Sequence, residues 1–225
     1  MKTKKKVFNF TSITEYKALE QYFEKMAARG WMLKKANRYS FEFYRIEPQQ
    51  LKFSINLFHY ESENSYPNYN IDQELAYICE AAGWSLCASN YKYQIYCAYK
   101  NEDAIQMHTD SNEEYKVVRN MFFKTQFIFI CFIALLNIIA VVGIEEYQHF
   151  KSPFHFTVAF SSDIITFFAL TLVINAICWF SINKINANKD KPLKFLSLRA
   201  VVAKNILMLL CYVLIFTLNY YINIV

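Results

Sequence analysis

Three runs of 20 or 21 residues without a single charge, Thr125–Ile144, Ile164–Asn183 and Asn205–Val225, constrain this chain more than any other feature. At 1.5 Å per residue each reaches the ~30 Å hydrocarbon thickness of a bilayer. Charge is distributed to match, since 17 of the 24 Lys+Arg and 15 of the 19 Asp+Glu precede residue 125. A mean hydropathy of only +0.09 therefore averages over two unlike halves. The expected architecture is an α+β domain over residues 1–110, a helical stalk over 111–124 and an all-α three-helix transmembrane domain over 125–225. The spans fall at about 125–144, 157–183 and 205–225.

Lys and Arg near span ends resist translocation, so they orient the spans. The connection between the second and third runs carries Lys184, Lys189, Lys191, Lys194, Arg199 and Lys204; that between the first and second carries only Lys151. This asymmetry predicts a multi-pass protein of the cell membrane, its N-terminus cytoplasmic and its C-terminus outside. Lys116, Arg119 and Lys124 before the first run agree. The basic start Met1–Lys6 is followed by only Val7 to Phe10 before a polar stretch, too little for the apolar region of a signal peptide. Asn9-Phe10-Thr11 fits the glycosylation pattern, a chance match in a cytoplasmic segment.

In the first half, Tyr16, Leu19, Phe23 and Met26 recur at helical spacing, opened by Ser12-x-x-Glu15 and stopped by Gly30. That pattern predicts a helix from Ile13 to Arg29. Tyr39, Phe41 and Phe43 alternate with polar neighbours, as do Leu51, Phe53, Ile55 and Leu57, which predicts strands. A second helix is marked by Ile71, Leu75, Ile78, Cys79 and Ala82 and stopped by Gly83, with alternation resuming from Tyr91 to Cys97. Ala28-Arg29-Gly30-Trp31-Met32-Leu33 matches Ala81-Ala82-Gly83-Trp84-Ser85-Leu86 at a 53-residue offset, with Asn37 on Asn90. The domain thus reads as two helix-plus-β-hairpin repeats forming an antiparallel sheet. Gly30 and Gly83 suit the left-handed position after a helix, which throws Trp31 and Trp84 onto the strand as packing plugs. A ligand-stacking platform is the functional alternative for the two tryptophans.

The string Leu19 to Trp31, the aromatic hairpin Tyr39 to Tyr44, and Tyr77 to Trp84 with its own hairpin resemble the bacterial family called domain of unknown function 2812, over about residues 5–110. The resemblance implies a bacterial membrane protein in a regulatory setting, encoded beside a PadR-type transcription regulator. It brings no activity and no catalytic residues.

The residues themselves offer no reaction centre. Three glycines leave little for a phosphate-binding loop, and no HExxH, paired-cysteine motif or nucleophile elbow occurs. The six cysteines, Cys79, Cys87, Cys97, Cys131, Cys178 and Cys211, read as buried thiols; Cys87 and Cys97 can face each other across a hairpin, but a reducing cytosol disfavours a disulfide. Glu145, Glu146, His149 and His155 gather in the outer connection, where solvated residues of this kind are ordinary and a divalent ion is the sharper alternative. A net charge of +5, split between the halves, is no nucleic-acid footprint. Asn137, Asp163 and Asn219 are the intramembrane polar candidates: an ionisable group in a span, here Asp163, is functional by default, and the two asparagines can form a polar layer with it. Asp163 alternatively caps a second span beginning at Ile164.

Ser111-x-x-Glu114 repeats the capping pattern, and nothing from Asn112 to Lys124 breaks a helix. A rod of about 50 Å through Ile144 would carry motion between the halves; a mere stalk is the plainer reading. The expected function is a membrane-anchored regulatory or binding protein without catalysis or cofactor, whose cytoplasmic domain holds a protein or small ligand. The alternative is an accessory subunit of a transporter or envelope complex. Expected partners are the lipid bilayer, a PadR-type regulator or a membrane permease, and a second copy of the chain, with no direct nucleic acid.

Overall fold

The computed structural model describes residues 3–9, 11–57, 77–90, 92–100, 104, 110–136 and 153–224. The described residues of its N-terminal half hold six strands: β1 (Lys4–Phe8), β2 (Trp31–Ala36), β3 (Ser40–Arg45), β4 (Leu51–Leu57), β5 (Ser85–Ser89) and β6 (Tyr93–Tyr99). Helix α1 (Tyr16–Ala28) follows a 3-10 turn, Ile13–Glu15, and helical residues 77–81 precede Gly83. The strands form two three-stranded antiparallel sheets, ordered β1-β3-β2 and β4-β6-β5.

That topology corrects the repeat. Both expected hairpins form, β2 with β3 and β5 with β6, but each sheet takes a third strand from ahead of its helix. β1 lies on β3 with Lys6 opposite Glu42, and β4 lies on β6 with Ile55 opposite Ile95. The unit is strand, helix, hairpin, and β4 opens the second copy rather than extending the first sheet. β1 was not expected because Lys-Lys-Lys-Val-Phe lacks alternation; lysines instead suit an edge strand that must not recruit further chains.

Within the units the duplication is close. Each hairpin carries a bulge at the same place, Lys34 between Leu33 and Lys35, and Cys87 between Leu86 and Ala88. Gly30 and Gly83 both adopt positive φ, 78° and 84°. Gly83 N donates to Glu80 O, and Trp84 N to Cys79 O at 2.8 Å, closing the end of the helical residues. Trp84 is buried with Cys79, Tyr96 and Ala98, the expected plug. Trp31 is only half-buried, with the Arg45 guanidinium 5.2 Å and the Lys5 ammonium 5.9 Å from its ring centre. That indole packs on the rim of the core, and the two cations lie over its ring.

The bulge also overturns the thiol expectation. Cys97 lies opposite Ser85, so Cys87 would be a diagonal neighbour, ordinarily ~7–8 Å away. The extra residue draws the two Cα atoms to 6.2 Å, and Cys87 and Cys97 are joined as a disulfide. Cys79 is a buried thiol as expected, whereas Cys131, Cys178 and Cys211 are exposed on the long helices.

Among the described residues three further helices follow: α2 (Ser111–Phe122), α3 (Pro153–Ala187) and α4 (Leu198–Ile224). The cap of α2 is Asp110, not Ser111; its carboxylate accepts from Asn112 N at 2.7 Å and Glu113 N at 3.2 Å. α2 runs through a π turn, Phe123–Phe127, and on to Leu136, a helix wound differently at that turn; residues 137–144 of the expected rod lie outside the described residues. Tyr115, Val118 and Met121 of α2 are buried in one core with Phe23 of α1, Phe41 and Phe43 of β3, and Phe53 and Ile55 of β4. Phe23 is its centre, with ring centroids 5.0 Å from Phe41 and 5.7 Å from Phe53. α3 begins at Pro153, whose fixed φ suits a first helical position. Helix therefore runs unbroken through residue 163, and Asp163 does not cap a helix beginning at Ile164. Within the described residues, Ser111–Leu136 and Ala169–Ala187 are long and apolar enough to cross a membrane.

Candidate functional site

The N-terminal end of α1 is where the sheets meet the long helices, and polar side chains hold the joint. Ser12 and Glu15 form the capping box that the sequence pattern predicts. Ser12 Oγ also donates to Gln126 Oε1 at 3.0 Å, and Ile13 N donates to the same atom at 3.2 Å. Gln126 belongs to the π turn, so the irregularity in the first long helix presents the acceptor that receives the entry to α1. Glu15 keeps its side of the capping pattern, accepting Ser12 N at 3.4 Å.

Glu15 also accepts a hydrogen bond from the Lys204 ammonium of α4, and the Tyr16 hydroxyl donates to the Glu114 carboxylate of α2. Further along α1, Gln21 Oε1 accepts from Leu198 N at 2.8 Å, pinning the start of α4. Aromatic rings fill the space between: Phe195 meets Tyr16 edge-on at 5.2 Å, and Trp179 of α3 stacks on Tyr115 of α2 at 5.8 Å and 7°. Buried Asn183 donates to Lys194 O at 2.9 Å and accepts Lys194 N at 2.7 Å, which fixes the basic connection between α3 and α4 against α3.

Burial sets the electrostatics of this joint. The Tyr16 hydroxyl is pushed far up from its usual range, first by burial and then by the Glu114 charge beside it. Glu20 is pushed up to about 7 by burial, against the opposing pull of the Lys17 ammonium at 3.1 Å and the Ile55 N–H at 2.9 Å. Glu24, one turn on, is raised by burial and lowered in part by the Phe53 N–H. Glu20 and Glu24 therefore satisfy the outward N–H groups of edge strand β4, which would otherwise invite another strand.

These side chains link elements mechanically, and their donors and acceptors are engaged with one another. Among the described residues no three His, Cys, Asp or Glu side chains gather as a metal site. Glu145, Glu146 and His149 lie outside the described residues, as does Asn137; His155, Asp163 and Asn219 are described by backbone alone, within α3 and α4. Gly30 and Trp31, like Gly83 and Trp84, sit where the helical residues of each unit pass into its hairpin. Sequence reasoning missed Gln126, Lys204 and Gln21. Lys204 had a signal, as a charge at the threshold of an uncharged run, but it was absorbed by the topology argument; Gln126 had none beyond being polar.

The family described as protein of unknown function (DUF2812) matches over residues 15–133, from the entry to α1 into the first long helix. No curated protein and no solved structure matches the chain.

Proposed function

The chain belongs to this family of proteins of unknown function, and from that premise we propose that it is a membrane-anchored regulatory binding protein. Its duplicated N-terminal half holds a protein or small ligand on the cytoplasmic side, and α2, α3 and α4 anchor it in the cell membrane. The observation that carries this reading is the joint. Ser12, Glu15 and Tyr16, adjacent at one end of α1, bond to Gln126, Lys204 and Glu114 on two of the long helices. A passive anchor needs only one connecting segment, whereas this arrangement lets a shift of α4 or α2 reach the sheets directly. The Lys/Arg asymmetry supports the N-terminus inside and the C-terminus outside; the Cys87–Cys97 disulfide counts against it, since a reducing cytosol disfavours one. If α3 crosses the bilayer from Phe180 outward, the ~30 Å core ends about 20 residues earlier, near Phe160, and Asp163 lies just within the outer boundary.

The second reading, an accessory subunit of a transporter or envelope complex, draws on the exposed apolar surface of α4, where Leu207, Leu210 and Leu214 are each about three-fifths exposed. Capture of the tagged full chain from detergent-solubilised membranes separates the two. Recovery of a transcription regulator or another non-membrane partner supports the first, and recovery of a permease supports the second. Impermeant thiol labelling in intact cells, on a background lacking the native cysteines, tests the topology. A cysteine at Asn219 should react and one at Lys189 should not; the reverse pattern overturns the orientation.

A further inference from the structure

Between α1 and the first turns of α4 lies a cavity of about 400 Å³. Its lining combines Lys25 of α1, Arg29 at the cap just beyond it and Arg199 of α4 with the apolar Met26, Val202 and Ile206. Lys25 and Arg29 stand one helical turn apart, so they share a face. Arg199, Val202 and Ile206, at spacings of three and four, share the facing stripe of α4. Among the described residues, no carboxylate lines the cavity. The negative C-terminal end of the α1 dipole accounts for Lys25 and Arg29, but not for Arg199 joining them from another element in a lining that also holds Met26, Val202 and Ile206.

From Arg199 to Ile206 the wall rises about 10 Å along α4, passing from cationic to apolar. It then continues into the exposed Leu207 and Leu210. Only a ligand that is anionic at one end and hydrocarbon at the other matches both parts. We propose that this cavity binds an anionic glycerophospholipid, its phosphate held by Lys25, Arg29 and Arg199 and an acyl chain lying along Val202 and Ile206. Arginine forks suit phosphate oxygens, and basic pockets beside membrane helices on the cytoplasmic side are placed to receive such headgroups. The inference rests on the membrane reading given above. Because Gln21 and Glu15 tie the same two helices together beside the cavity, an occupying lipid strengthens the α1–α4 contact and makes the joint sensitive to membrane composition.

The test uses the full chain purified from carbonate-washed membranes, with retained lipid read by native mass spectrometry during titration with phosphatidylglycerol or phosphatidylcholine. Phosphatidylglycerol should be retained in preference, and the R29Q/R199Q variant should lose that retention by about tenfold or more. K189Q/K191Q, with the same charge change outside the cavity, should behave as wild type. Should R29Q/R199Q fail to fold, R199Q alone, an exposed substitution, serves with the same expectation. Equal retention of phosphatidylcholine, or an unchanged Arg199 variant, overturns the proposal. So does displacement of the lipid by inorganic phosphate alone, which would mark a small-anion pocket. Release of the chain by the carbonate wash would bring down the membrane reading itself, whereas a retained chain without lipid preference defeats only the lipid site.

Discussion

Lys204 on α4 donates to the carboxylate of Glu15 at the entry to α1, across 189 residues of sequence. The Glu15 side chain is 5% exposed and that of Lys204 21%, so most of the pair is out of water. Removing one partner from such a pair costs more than removing both, because an uncompensated charge is left behind. Lys204→Met should destabilise the full chain by about 3 kcal/mol, and Glu15→Gln with Lys204→Met should recover most of that loss. Urea unfolding in detergent, followed by tryptophan fluorescence, measures both. A double variant no better than Lys204→Met would mean that the charge pairing contributes nothing to the joint.

Glu20 makes stability depend on pH in the direction opposite to most carboxylates. Burial pushes its folded-state value to about 7, against 4.5 ordinarily, so between these values the folded chain holds a proton that the unfolded chain has released. Stability from this group is therefore full at the acid end and falls as pH rises through that window, by at most about 3 kcal/mol. Glu20→Gln keeps an acceptor for the Ile55 N–H without a charge. Its melting temperature should stay level from about pH 5 to 8, relative to a falling wild type. Parallel curves for the two proteins would remove Glu20 as the cause.

The two glycines of the repeat are not equally replaceable. Each has positive φ, but a Cβ on Gly30 would lie 2.7 Å from Ile46 O, whereas one on Gly83 would meet Ala104 Cα at 3.5 Å, an ordinary contact. Ile46 cannot easily retreat, since its N–H donates to Gly30 O at 3.0 Å. Gly83→Ala should cost about 1 kcal/mol and Gly30→Ala clearly more. Trp84→Ala, emptying a buried site, should cost about 3–5 kcal/mol and exceed Trp31→Ala, whose indole is half-exposed. Thermal melting of the four variants gives the ranking, and equal losses at Trp31 and Trp84 would contradict the asymmetry between the copies.

Most of what depends on a residue and its near neighbours was legible in the sequence, the Asp110 cap of α2 and its π turn excepted. Helical spacing from Tyr16 to Met26 gave α1, alternation gave β3, β4 and β6, and the Gly-Trp pairs gave both left-handed helix ends. Apolar run length alone marked the long helices, because a span is limited by local hydropathy and rise per residue. Tertiary structure decided the pairings. A period of two says that one face of Leu51–Leu57 is buried, not that β4 belongs beside β6; a lysine-rich edge strand such as β1 carries no period at all. One bulge determined whether Cys87 reaches Cys97. The joint is furthest from local control, since Ser12, Gln126, Glu15 and Lys204 acquire their roles only when packing converges segments far apart in the chain. Apolar spacing reports that a face will be covered; the identity of the polar atoms meeting at its rim follows from which elements cover it.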